Sequence, residues 1–91
     1  MGTYIAVHHV KAHMSPEEAA QLVYATIKHL TKDTQWLRYW ISDDEGKMIC
    51  LWSAPDSASV WALLREAGVP TSDVFQVEEG DPTLFLTGLD K

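Results

Sequence analysis

Residues 35 to 52, QWLRYWISDDEGKMICLW, constrain the fold more than any other stretch of the chain. Two strand-prone arms flank Asp43-Asp44-Glu45-Gly46, a polar turn that ends in the residue type most tolerant of positive φ. The stretch reads as a β-hairpin. Side chains alternate between faces along a strand, and this divides each arm. Leu37, Tyr39 and Ile41 fall with Ile49 and Leu51 on what reads as the core face. Trp36, Arg38 and Trp40 fall with Met48, Cys50 and Trp52 on the other. That second face is aromatic, with one cation, one thiol and one thioether. A solvated face is rich in Lys, Glu and Thr, so this one is expected to be covered by a partner subunit, a ligand or both.

The rest of the chain supplies what the hairpin pairs with. Thr3 to Val10, TYIAVHHV, reads as a first strand. Ile5 and Val7 are expected on the core face, with His9 behind them. Tyr4, Ala6 and His8 are expected on the Trp-rich side. Ser15-Pro16-Glu17-Glu18 starts a helix: Ser15 caps it, Pro16 suits its first position and Glu18 completes a capping box. This helix is expected to run to about Leu30, with Ala19, Ala20, Val23, Ile27 and Leu30 as its apolar stripe. After the hairpin, Asp56 caps a second helix over about Ser57 to Ala67. Val60, Leu63, Leu64 and Ala67 form its stripe, and Gly68 and Pro70 stop it. Asp73 to Glu79 is a fourth strand. Residues 81–91 form an apolar tail read as strand-like, an added edge strand or a piece that lies on a partner. The order β-α-β-β-α-β over residues 1–80 is the split-βαβ, ferredoxin-like pattern: a four-stranded antiparallel sheet with two helices on one face.

Composition narrows the function. The chain has 91 residues and 46% hydrophobic content, one folded domain. A net charge of −6, with seven scattered cations, argues against nucleic acid and against an anionic membrane surface. No apolar run approaches a bilayer span. The single Cys excludes an intramolecular disulfide and, with no signal-like start, leads to the expectation of a cytoplasmic protein.

Taken in order, Val7-His8-His9, Ser15-Pro16-Glu17-Glu18, Gly46 to Leu51, Ala54-Pro55-Asp56, and Ala67-Gly68-Val69-Pro70 leading to Val74-Phe75-Gln76-Val77 form a joint pattern. In that order the chain resembles a family of short bacterial ferredoxin-like proteins that includes a nickel-binding protein. The resemblance covers about residues 3 to 79. It implies the fold and a His set for nickel, of which His8 matches the strand-one member. The three remaining His positions read Val23, Leu64 and Val69 here.

From the residues themselves, His8, His9 and His13 are the metal candidates. Adjacent strand residues point to opposite faces, so His8 and His9 do not share an ion in a regular strand. His13 meets His9 only if the loop bends back. Polar residues at a strand end are the plainer reading; a site of His8 with Cys50, or with its counterpart in a second subunit, is the sharper one. Cys50 alone reads as a small buried hydrophobe. Asp43, Asp44 and Glu45 lack calcium-loop spacing and read as a solvated turn.

The expectation is a homodimeric binding protein for a nickel-like transition metal or a small molecule. The open face is its site, built from Tyr4, His8, Trp36, Arg38, Trp40, Cys50 and Trp52. Two alternatives stand beside it. One is a small cofactor-free enzyme with His8 as general base and Arg38 as anion clamp, by fold analogy alone. The other is a purely structural dimerisation module.

Overall fold

The computed structural model describes residues 1–89. Its elements are β1 (Gly2–His9), α1 (Pro16–Ile27), β2 (Gln35–Ser42), β3 (Lys47–Ala54), α2 (Ser57–Ala67), β4 (Asp73–Val77) and α3 (Thr83–Leu89). The strands form an antiparallel sheet in the order β2-β3-β1-β4, the ferredoxin-like arrangement. No helix among the described residues is long and apolar enough to cross a membrane.

The local signals act as expected. Glu18 N–H donates to Ser15 Oγ at 3.1 Å, and Ser15 N–H donates to Glu18 Oε1 at 3.0 Å. Asp56 accepts from Ser59 N–H at 2.8 Å at the start of α2. Gly68, at φ 72, turns the chain out of that helix. Along α2 the buried residues are Val60, Leu63 and Leu64. Helix α1 is shorter than its apolar pattern, ending at Ile27, and its stripe is rotated. Ile27 is exposed, and Thr26 is buried instead, with its hydroxyl donating to the Leu22 carbonyl. That back-bond removes the cost of burying the hydroxyl.

Along β1 and β3 the two faces of the sheet are the reverse of the sequence expectation. Tyr4, Ala6, His8, Met48, Cys50, Trp52 and Ala54 are buried beneath the helix layer with Val60, Leu63, Leu64 and Val69. Ile49 and Phe75 are exposed on the opposite face, and Ile5, Val7 and Leu51 on that face are half-buried. His9 is exposed, not in the core. Both sets were apolar enough to be a core, and the helix layer selects the one that fits it. Ala6 and Cys50 are small at the middle of the sheet and let the helices approach, while Met48 and Trp52 fill the flanks.

The exception lies in β2, where the residues beyond Leu37 take the sides expected of them. Trp36 pairs with Trp52, but Arg38 pairs with Leu51, so a bulge at Leu37 shifts the parity. Trp36 therefore stacks on Trp52, centroids 5.7 Å apart and planes 9° from parallel. Beyond the bulge, Tyr39 and Ile41 join the helix side, opposite Cys50 and Met48, while Arg38 and Trp40 join the open side. The helices stop short of β2, leaving a cleft of about 580 Å³ lined by α1 and β2.

The tail is a helix, not an added strand. Asp81 explains it: its carboxylate accepts from Thr83 N–H at 2.9 Å and from the Thr83 hydroxyl at 2.6 Å, and its carbonyl accepts from Leu84 N–H. Asp90 and Lys91, the end of the expected strand, lie outside the described residues. Leu84, Phe85 and Leu86 are exposed.

Candidate functional site

The β1–α1 loop and the β2–β3 turn meet at one end of the sheet because His9 pairs with Lys47. Two backbone bonds lock them together. Val10 N–H donates to the Gly46 carbonyl at 2.8 Å, and His13 N–H donates to the Asp43 carbonyl at 3.1 Å. Gly46, at φ +64, lies so close to the loop that a Cβ there would stand 2.6 Å from the Val10 oxygen. His13 itself takes a left-handed conformation, φ 56, which aims its ring back over the turn. Its Nδ1 lies 3.1 Å from Asp43 Oδ2 and 3.7 Å from Asp44 Oδ1.

One ligand atom from each of these three residues lies within 4.8 Å of the others. Among the described residues they are the one such group of three or more His, Cys, Asp or Glu. An imidazole nitrogen with two carboxylate oxygens suits a borderline divalent ion of the first transition row. All three groups are exposed, so water can complete the coordination. The acidic half of this group was read from sequence as a solvated turn. The signal that would have joined it to His13 is topological: in a βαββαβ sheet the hairpin turn and the exit of the first strand share one end.

His8 and His9 are not part of this group. His8 is fully buried, with Nδ1 3.1 Å from both the Pro70 carbonyl and the Thr71 hydroxyl, while Nε2 has no partner. A carbonyl can only accept, so Nδ1 carries a proton. Burial lowers the His8 pKa, opposed by the bond to Pro70. The other positions of the His set implied by the family resemblance, Val23, Leu64 and Val69, offer no ligand atom, and the latter two are buried in the apolar core. That implied set therefore does not fit an ion here.

Of the residues expected to bind a ligand on the open face, Tyr4, His8, Cys50 and Trp52 lie beneath the helices. Trp36, Arg38 and Trp40 line the α1–β2 cleft. Burial pushes the Cys50 thiol up to about 12; the nearby Trp36 indole N–H draws it back only in part. A thiol that high is inert as a nucleophile at neutral pH. The His8–Arg38 pairing required by the enzyme reading is broken by the sheet itself: His8 is on its helix side and Arg38 on its open side.

The element order, the sheet order and the placement of both helices define a ferredoxin-like α+β protein. Within that class, the chain belongs to the family described as nickel responsive protein SCO4226-like, whose pattern matches residues 4–77. Among solved structures it is similar to the crystal structure of SCO4226 from Streptomyces coelicolor A3(2), with a TM-score of 0.77 and 16% identity. That match covers 87% of this chain and 99% of the other, and it shows the shared fold. No curated protein matches the chain.

Proposed function

We propose that this protein binds a divalent transition metal, nickel by family, at His13, Asp43 and Asp44. One observation carries the reading: donors from two segments 30 positions apart converge on a space one ion could fill. The backbone bonds from Val10 and His13 to the turn support it, because they hold the donors together before any ion arrives. Three exposed protein ligands with water in the remaining positions suit an exchangeable ion, loaded and released with its concentration. The ligands must be deprotonated to bind, so loading releases protons and weakens in acid. The lone Cys50, with no disulfide partner, supports a reducing cytoplasmic setting.

Isothermal titration of the metal-free protein with nickel chloride tests the reading. The expected result is one ion per chain, lost in His13→Ala and weakened at least tenfold in Asp43→Asn and Asp44→Asn. No nickel binding, or binding unchanged in His13→Ala, overturns it.

A further inference from the structure

We infer that the cleft between α1 and β2 binds a single-chain amphiphilic anion, with its acyl chain laid along α1 and its head group at Arg38. The cleft extends beyond its main hollow. A second hollow of about 470 Å³ continues it toward the start of α1, and the two share Val23, Ile27 and Tyr39. Together they form a trough that follows α1 from Pro16 to Ile27 and on to Leu30. The 12 residues of that helix, at about 1.5 Å each, give the trough a length of roughly 18 Å.

The walls of the trough are apolar and face water. Ile27, Leu37 and Tyr39 are 45%, 51% and 45% exposed, and Tyr24 near the far end is 65% exposed. Exposed apolar side chains gathered on one groove mark a binding site. The main hollow, about 580 Å³, has the size of a small-ligand site.

Shape selects a flexible chain over an added peptide strand. An extended acyl chain advances about 1.3 Å per carbon, with C–C bonds of about 1.5 Å, so about a dozen carbons run the length of the trough. A peptide strand would need a regular row of N–H and C=O groups along the free edge of β2. The bulge at Leu37 interrupts that row in the middle of the stretch that lines the trough.

Charge selects an anion. The chain carries 13 acidic residues against 7 lysines and arginines, yet neither hollow is lined by an acid. Among the described residues Arg38 is the one charged group on the walls, and it makes no ion pair. β2 is an edge strand, so the cleft runs round its free edge and takes in Arg38 from the open side of the sheet. A guanidinium holds a carboxylate or a phosphate through paired N–H donors. Arg38 belongs to the hollow at the Leu30 end, and the hollow at the Pro16 end has no charged wall. That asymmetry sets the direction of the ligand.

The test is isothermal titration of the full chain with laurate below its micelle threshold, in EDTA so that the result does not depend on the metal reading. One laurate per chain is expected. Dodecylamine has the same tail and the opposite charge. An acidic protein attracts it non-specifically, so a site built on Arg38 should bind it at least tenfold more weakly than laurate. Arg38→Gln should abolish that preference. Ile27→Glu, at an exposed position, should weaken laurate at least tenfold with far-ultraviolet circular dichroism retained. Laurate bound more tightly than dodecyl phosphate gives a free fatty acid as the source; the reverse order gives a lipid phosphate. No laurate binding at about 1 mM overturns the proposal. So does dodecylamine bound as tightly as laurate, a preference unchanged in Arg38→Gln, or laurate affinity unchanged in Ile27→Glu. Laurate bound only by the double variant Leu84→Ser/Phe85→Ser would give the trough to α3 and overturns it as well.

Discussion

Ser15 caps α1 by accepting from Glu18 N–H with its hydroxyl, while the reciprocal bond from the Ser15 backbone N–H to Glu18 survives replacement by alanine. Ser15→Ala should lower unfolding free energy by about 1 kcal/mol, read from the urea midpoint. This cap is written within four consecutive residues and was legible for that reason. His8 is the opposite case, because its partners Pro70 and Thr71 come from more than 60 positions away. Its burial lowers its pKa below the ordinary 6.5. The unfolded chain therefore takes up a proton that the folded chain refuses, and stability falls as pH drops below about 6.5. Urea midpoints measured from pH 7 to pH 5 should decline for the wild type and decline less for His8→Leu. Equal declines would mean that the folded protein accepts a proton on His8 freely.

Two glycines at positive φ separate backbone strain from close approach. At Gly68, φ +72, a Cβ would meet nothing within 4 Å. Gly68→Ala should cost ~1 kcal/mol and leave nickel binding alone. At Gly46 the strain of about 1–2 kcal/mol is joined by the Val10 oxygen at 2.6 Å, so the loop must move off the turn. Gly46→Ala should lower the urea midpoint further than Gly68→Ala and weaken nickel at least tenfold in calorimetry, because His13 moves with the loop. Nickel affinity equal in the two variants would detach the loop–turn joint from the site. The hairpin around Gly46 was legible because its signals are local. Its faces were not. A period of two sorts Ile49 from Cys50 without saying which side the helices choose, and the bulge at Leu37 exchanges the two sides partway along β2. Helix α2 was read correctly because only one of its stripes is apolar; α1 was misread because Val23 and Ile27 border a cleft that the helices leave open.

Across the whole molecule, element order was enough to reach the sheet, and it also placed the hairpin turn beside the exit of β1. What it did not supply was the distance from His13 to Asp43, which depends on a left-handed residue in a short loop. The apolar tail was recognised as needing a surface, but its form turned on the Asp81 cap. The unequal sheet faces have a thermodynamic consequence. If two copies bury the open face of the sheet and unfold together, stability becomes a function of protein concentration. A hundredfold dilution then removes ~2.7 kcal/mol per dimer. Against an unfolding entropy of about 2.1 cal/mol/K per residue over both chains, that lowers Tm by roughly 7 °C. Scanning calorimetry at two concentrations in EDTA should show this shift in the wild type and a constant Tm in Ile49→Glu. A wild-type Tm independent of concentration would leave Trp40, Ile49 and Phe75 facing water.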